Sequence, residues 1–234
     1  MAVQIPLFRT YWTEREGVIE SLSDGTGHNG SMKVAGMLLT GGASRRLGVD
    51  KAGLDMGEGP LAERTARLLR SVADPAVEVG RGYTDLPLVA EPEPGQGPLA
   101  AVTFGWAELR RLSWPGPTLV LATDLPFLSQ GLLLWLAGHP SERSVLLFDG
   151  EQLQPLCARY RAADLDRATE RYQAGARSMR ELTTAIRAVK VRPDEWQAAA
   201  GHSFALLDVD TPADLERVRR ATAVRRAGTG TSTR

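Results

Sequence analysis

The stretch from Leu38 to Lys51, LLTGGASRRLGVDK, decides the interpretation of the whole chain. An apolar run ends here in two glycines, and two arginines and a lysine follow. Paired glycines allow a turn whose backbone N–H groups face a ligand. Cations this close in sequence repel one another unless an anion lies among them. The stretch therefore predicts a phosphate-binding loop directly after a buried strand.

Two common phosphate motifs do not describe this loop. A GxxxxGK[ST] loop is excluded because Gly42 and Gly48 are too far apart and the ending is Val49-Asp50-Lys51. A GxGxxG fingerprint is excluded because it fails at the second glycine position. What remains is a longer glycine-rich loop bearing Arg45, Arg46 and Lys51. On residue type alone, a solvated loop whose cations only contact water stays an alternative.

Short apolar runs alternate with amphipathic stretches along the chain. Runs rich in Val and Leu predict strands at 34–40, 76–80, 118–123 and 144–149. Stretches between them predict helices at Leu61–Leu69, Leu99–Leu112 and Gly131–Leu136. This alternation predicts an α/β sandwich with right-handed crossovers. In such folds ligands bind beyond the carboxyl ends of the strands.

Acidic residues stand where that rule requires them. Asp124 follows the run 118–123, and hard divalent cations prefer such oxygen ligands, although an Asp there is also a common turn former. The stretch FALLDVD places Asp208 and Asp210 at a predicted strand-to-helix corner. Thr211 and Pro212 with Asp214 predict a capped helix after it.

The loop PGQGPLAA, residues 94–101, also carries a helix start. Pro98 suits a first helical position. N–H groups near Gly97 could meet a base or a sugar, and a plain structural turn is the alternative interpretation.

Composition limits the function classes. The 234 residues are 43% hydrophobic and carry a formal net charge of zero, which favours neither nucleic acid nor a membrane surface as partner. A single cysteine, Cys157, is expected to be a packed thiol and excludes an internal disulfide. We expect a cytoplasmic protein with a weakly ordered extension at 1–31, one main domain at 32–220 and a disordered basic tail at 221–234.

The segments match a known family in order. LLTGGASRRLGVDKAGL resembles the LAGGxSxRMGxDKAxL signature of the molybdenum cofactor guanylyltransferases. The match continues through GPLAA (97–101), ATDLPFL (122–128), QPLCARY (154–160) and DVDTPADL (208–215). Many nucleotidyltransferases share the first signature, whereas the DKA ending and the GPLAA loop favour this family.

The resemblance implies a Rossmann-like three-layer sandwich with a mostly parallel central sheet, of the nucleotide-diphospho-sugar transferase type. It implies transfer of GMP from GTP to the terminal phosphate of molybdopterin, with Mg²⁺ and release of pyrophosphate. The nucleotide would be held by residues of three segments, namely Leu39, Thr40, Gly41, Gly42, Lys51 and Gly97. The catalytic residues would be Arg46, Lys51 and Asp124.

The resemblance also implies a metal site, and it has two departures. Asp124 would bind Mg²⁺, and Asp210 stands where relatives commonly place an Asn as second ligand. Val79-Gly80-Arg81-Gly82 stands where relatives often have an Asn-bearing segment near the nucleotide. The acceptor side is expected in 150–207, where Arg177, Arg180 and Arg187 could meet phosphate or form a solvated helix face.

Three alternatives stay open at this point. Two are transferases of the same fold: a cytidylyltransferase for the same cofactor and a sugar-phosphate nucleotidyltransferase. The third is a non-catalytic nucleotide-binding adaptor. The expected partners are GTP and molybdopterin, with a molybdoenzyme maturation protein as a further candidate, and neither nucleic acid nor a membrane.

Overall fold

The computed structural model describes residues 33–41, 50–57, 59–93 and 95–229, with side chains described up to residue 222. The predicted N-terminal extension and residues 42–49 of the glycine-rich loop lie outside the described residues. Predictions made for Gly42, Arg45 and Arg46 therefore stay predictions.

A seven-stranded sheet forms the centre of the fold. Its strands are β1 Ala35–Leu39, β2 Ala76–Val79, β3 Leu88–Val89, β4 Thr118–Ala122, β5 Val145–Phe148, β6 Leu153–Tyr160 and β7 Val189–Val191. Their order across the sheet is β3-β2-β1-β4-β6-β5-β7. β6 runs antiparallel to both of its neighbours, and the remaining pairs are parallel.

The described part of the chain has seven helices, of which six cover the two faces of this sheet. They are α1 Leu61–Arg70, α2 Pro98–Arg111, α3 Gln130–Ala137, α4 Ala162–Gln173, α5 Met179–Ala185, α6 Pro193–Ala200 and α7 Pro212–Thr229. Helices α1, α3 and α6 pack on one face, and α2, α4 and α5 pack on the other. The mostly parallel α/β sandwich predicted from the sequence is confirmed.

Successive strand residues enter opposite cores because side chains alternate across a strand. Leu38 points into the core beneath α1, α3 and α6, whereas Met37 and Leu39 point into the core beneath α2, α4 and α5. β1 is buried at every position for this reason. A continuous apolar run was therefore the right signal for a central strand.

Strand β6 was not predicted, and its sequence explains why. Gln154, Pro155 and Arg159 interrupt its apolar pattern, and proline is rarely tolerated inside a central strand. The pairing of β5 with β6 shifts between Leu146 and Leu147, which pair with Ala158 and Gln154. The proline lies in the resulting bulge, where the ladder does not need its missing N–H.

Two further predictions need correction. FALLDVD is not a strand: it is irregular backbone that touches the end of β4 through a hydrogen bond from Val209 N–H to the Asp124 carbonyl, 3.0 Å. Leu206 and Val209 are buried, so packing rather than pairing explains the apolar pattern. The predicted tail from 221 is also wrong as far as Thr229, because α7 continues to that residue.

No helix among the described residues is long and apolar enough to cross a membrane. Cys157 is buried in β6, as expected of a packed thiol, and burial raises its pKa to about 12.

Candidate active site

A pocket of about 530 Å³ opens at the carboxyl edge of the sheet. Seven residues singled out in the sequence line it, and they come from five separate segments: Leu39, Thr40, Gly41, Lys51, Gly97, Asp124 and Asp210. Ala101, Thr123 and Leu156 are among the other residues that line the pocket. The structure thus brings together the described residues that the sequence assigned to one site.

Strand register explains why the glycine turn and Asp124 meet. β1 and β4 are parallel neighbours in which Leu39 pairs with Ala122. Gly41 and Asp124 each stand two positions beyond that pair, so both leave the sheet at the same level and edge. β2 adds a third strand at this level, because Val79 pairs with Leu39.

Asp124 lies in an environment that disfavours its charge. Burial raises the pKa of this carboxyl to about 6, the nearby Lys51 ammonium lowers it, and the charges of Asp210 and Asp208 raise it. Burial also raises the pKa of Asp208. A carboxylate close to two others in a partly buried position is stabilised when a further cation joins the site.

Lys51 provides cationic charge at this position. Its ammonium forms an ion pair with Asp210, and the side chains of the two residues are 16% and 40% exposed. The backbone around Asp210 is fixed by the start of α7. Thr211 N–H donates to the Asp214 carboxylate at 2.8 Å, and Asp214 N–H donates to the Thr211 hydroxyl at 3.2 Å. This reciprocal pair is the predicted capping box.

Thr40 and Gly41 form the described start of the glycine-rich loop. Thr40 is 5% exposed, and its N–H donates to the Val79 carbonyl at 2.9 Å. A side chain at Gly41 would collide with Glu91 Oε1. The backbone here is thus held against β2 by the Thr40–Val79 hydrogen bond. The missing side chain at Gly41 lets the Glu91 carboxylate approach this backbone.

Gly97 is the N-cap residue of α2 and contacts the segment before α5. Its φ of 92° belongs to the region that favours glycine, and a Cβ atom there would lie 2.6 Å from the Arg177 carbonyl oxygen. That carbonyl accepts a hydrogen bond from Leu99 N–H at 3.2 Å. Pro98 occupies the first turn, as predicted.

The arginines predicted for the acceptor side have other positions. Arg177 donates to the Gln96 side chain at 3.1 Å and to the Ala176 carbonyl at 2.8 Å, so it holds the loop before α2. Arg180 and Arg187 are exposed and do not line the pocket. The solvated-face interpretation suits these two.

Two acidic residues in the wall were missed in the sequence, Asp50 and Glu91. Burial raises the pKa of Glu91, and the Arg81 charge lowers it. Glu91 follows β3, a strand of two residues that is too short to leave a periodic signal. With a longer β3, Glu91 could have been predicted in the same way as Asp124, as an acidic residue just beyond the carboxyl end of a strand.

The carboxylates fit a shared metal ion only in part. Asp124 and Asp210 line one pocket, and the charge of Asp210 raises the pKa of Asp124. Among the residues described here, no group of three or more His, Cys, Asp or Glu side chains could hold a metal by itself. Mg²⁺ commonly takes one or two carboxylates and completes its shell with phosphate and water. The pair suits a metal that binds together with a nucleotide.

Comparison with known proteins identifies the chain's relatives. Residues 36–190 match the family described as MobA-like NTP transferase domain. A probable molybdenum cofactor guanylyltransferase of Chloroflexus aggregans is 36% identical over 200 residues, which cover 80% of this chain and 94% of that protein.

Two solved structures share the fold. Molybdopterin-guanine dinucleotide biosynthesis protein A from Archaeoglobus fulgidus has a TM-score of 0.65 at 20% identity, covering 81% of this chain and 99% of that one. The 2-C-methyl-D-erythritol 4-phosphate cytidylyltransferase from Thermus thermophilus has a TM-score of 0.55 at 19% identity, covering 82% and 100%. With the family match over most of its described residues, the chain belongs to the MobA-like NTP transferases and is a nucleotidyltransferase.

Proposed function

We propose that this enzyme transfers GMP from GTP to the terminal phosphate of molybdopterin and releases pyrophosphate. The observation that carries the proposal is the convergence of the turn after β1, Lys51 and Asp124 on one pocket. The names of relatives such as the Chloroflexus aggregans protein supply the acceptor and the base.

Glu91 supports guanine as the base. Guanine presents two adjacent donors, N1–H and the N2 amino group, and a carboxylate accepts both. Glu91 lies in the pocket wall beside Gly41. It follows β3, which lies on the opposite side of β1 from β4, the strand that leads to Asp124. Hydrogen bonds from a base would offset the burial that now raises the pKa of Glu91. We assign base recognition to this residue and to the backbone of Leu39–Gly41.

The residues then act by placement and charge. An oxygen of the acceptor phosphate attacks the α-phosphorus, a new P–O bond forms, and the bond from the α-phosphorus to the bridging oxygen of pyrophosphate breaks. Lys51 neutralises the leaving group, which requires its ammonium to exchange Asp210 for phosphate oxygens. Arg46 would add charge from the same loop.

Asp124 and Asp210 would hold Mg²⁺ with the nucleotide. When bound, the metal neutralises charge on the phosphate oxygens. Asp124 contributes a rigid ligand position because it leaves β4 directly into Leu125-Pro126, where the proline restricts the preceding residue.

A four-nucleotide panel tests the reaction. Pyrophosphate release should require molybdopterin, a divalent cation and GTP, with CTP, ATP and UTP at least about 100-fold less effective. Preference for CTP would favour the cytidylyltransferase alternative, and turnover with sugar phosphates in place of molybdopterin would favour the sugar-phosphate alternative. Nucleotide binding without any pyrophosphate release would support the adaptor and contradict the proposal.

The role of Lys51 has its own measurement. Lys51→Met should weaken GTP binding by about tenfold or more and GMP binding much less, because its charge serves the β- and γ-phosphates. Lys190→Met is the matched control, since Lys190 is an exposed lysine on β7 outside the pocket lining. Calorimetry with both nucleotides measures the difference, and equal losses for GTP and GMP would contradict this role.

A further inference from the structure

Glu78 is a fully buried acid in the middle of β2. Its carboxylate accepts hydrogen bonds from the Thr40 hydroxyl at 2.6 Å and from the N–H groups of Gly82 and Tyr83, both at 2.8 Å. Thr84 adds two more, from its N–H at 2.9 Å and its hydroxyl at 2.8 Å. The segment 80–84 is therefore folded around one carboxylate.

The charge of Glu78 is stabilised by these donors. Burial raises its pKa, but the hydrogen bonds from Thr40, Tyr83 and Thr84 outweigh that effect, so its pKa lies below its ordinary value. A neutral amide could not replace the carboxylate, because it has a single acceptor oxygen and its NH₂ group would face other donors. The arrangement depends on an acceptor-only group at this position.

The segment 80–84 contacts the first end of the glycine-rich loop. Arg81 N–H donates to the Thr40 hydroxyl at 3.2 Å, so that hydroxyl joins Glu78 to the segment. Gly80 has a φ of 140°, and a Cβ atom there would lie 2.5 Å from Gly41 N and 2.6 Å from Thr40 Oγ1. Backbone packs on backbone here, beside the pocket.

The same segment contacts the second end of that loop. The Tyr83 hydroxyl donates to the Asp50 carboxylate, and this bond raises the pKa of Tyr83. Asp50 also accepts from Ala52 N–H at 3.2 Å and directly precedes Lys51. One short segment thus touches the residues on both sides of the stretch 42–49.

We propose that Glu78 is a positioning residue for nucleotide binding, which folds segment 80–84 into a brace that holds Thr40–Gly41 and Asp50–Lys51 at a fixed separation. Here "brace" means residues 80–84. Neither Glu78 nor the brace side chains line the pocket, so they act through the residues that do. This inference rests on the proposed function, because it takes the ligand of Thr40–Gly41 and Lys51 to be a nucleotide.

Glu78→Gln tests the carboxylate. We expect GTP affinity to fall by about tenfold, with a higher KM and a much smaller change in kcat, because prepared geometry is lost while the chemical groups remain. Hydrogen exchange should accelerate at the amides of 40–41, 50–52 and 80–84. The matched control is Asp164→Asn, which neutralises another buried carboxyl that accepts from Ser144 at 2.6 Å, outside the pocket lining.

The control separates positioning from general stability. Asp164→Asn should lower the unfolding temperature without changing GTP affinity or exchange at those amides. If Glu78→Gln lowers the unfolding temperature but leaves GTP affinity and exchange at the two loop ends as in the wild type, Glu78 is merely structural and the proposal is wrong.

Tyr83→Phe provides a second test if the Glu78 variant does not fold. Loss of the hydroxyl should weaken GTP binding by about threefold with an unchanged unfolding temperature. Tyr172→Phe, in α4 and outside the pocket lining, should have no effect on GTP binding. Unchanged GTP affinity in Tyr83→Phe would overturn the proposal that the brace positions Asp50–Lys51. GTP binding and hydrogen exchange are measured without the acceptor. These two readouts therefore test the role of Glu78 even if the acceptor is not molybdopterin.

Discussion

At the scale of single residues, Asp124 is an acid whose charge lowers the stability of the fold that holds it. Its folded-state pKa of about 6 lies above the ordinary value of 3.8. The ionised group therefore destabilises the folded chain above about pH 6, and this cost disappears below the ordinary pKa.

Asp124→Asn should separate activity from stability. Without divalent cation at pH 8 the variant should be more stable than the wild type by about 1–3 kcal/mol, since it removes a buried charge that also faces Asp210 and Asp208. The gain should vanish near pH 4, while nucleotidyl transfer falls by about 1,000-fold or more. Thermal unfolding in EDTA across this pH range checks the first part. A variant that is less stable at pH 8, or that keeps normal turnover, would contradict the account.

Individual site residues could be predicted from the sequence where they directly follow a strand with a continuous apolar run. Asp124 and Thr40 follow β4 and β1, whose apolar runs are unmistakable, and strand register then places them together. Glu78 could not be predicted, because in AVEVG it looks like an exposed position of a strand. Its partners are mainly backbone amides of the following turn, which no residue type reveals.

At the scale of elements, the junction of α2 with the segment before α5 is a steric fit rather than a flexible turn. Gly95 and Gly97 both have a left-handed φ, 88° and 92°. A Cβ atom at Gly95 would meet nothing within 4 Å, whereas at Gly97 it would meet the Arg177 carbonyl.

This difference makes the two glycines a matched pair. Gly95→Ala should cost about 1 kcal/mol of unfolding free energy for the backbone conformation alone. Gly97→Ala should cost about 2 kcal/mol more, because it also breaks the contact of Leu99 with Arg177. Urea unfolding of both variants measures the gap. Equal costs for the two variants would show that the contact between Gly97 and the Arg177 carbonyl does not constrain this junction, which contradicts the prediction.

Element prediction failed for short or interrupted segments. β3 and β7 have two and three residues, and such lengths carry no readable period. β6 carries a proline that a bulge accommodates, and the bulge is a property of pairing with β5. Helix α1 was predicted closely because its buried residues recur at helical spacing, and α2 because it begins with a proline after the glycine at its N-cap.

At the scale of the whole molecule, one sheet separates two cores that share every central strand. Leu132 of α3 and Leu109 of α2 are both fully buried, one in each core. Because β1 and β4 contribute to both, neither core can persist after the other is lost.

Leu132→Ala and Leu109→Ala should therefore each lower stability by about 2–5 kcal/mol in a single transition. Trp196 and Trp106 lie in the respective cores, and their indole N–H groups donate to the Phe148 carbonyl and the Asp166 carboxylate at 2.9 Å and 2.8 Å. The two indole NMR signals should disappear at the same urea concentration in each variant. Separate midpoints would show two independent folding units.

The placement of β6 between β4 and β5 has a consequence for biosynthesis. Both sheet neighbours of β5 come later in the chain, since β5 pairs with β6 and β7 only. On the ribosome β1, β2 and β4 can join in the order in which they emerge. The apolar side chains of β5, in contrast, stay exposed until Tyr160 has left the exit tunnel. The hairpin of β5 and β6 can then form and pair with β4 through β6.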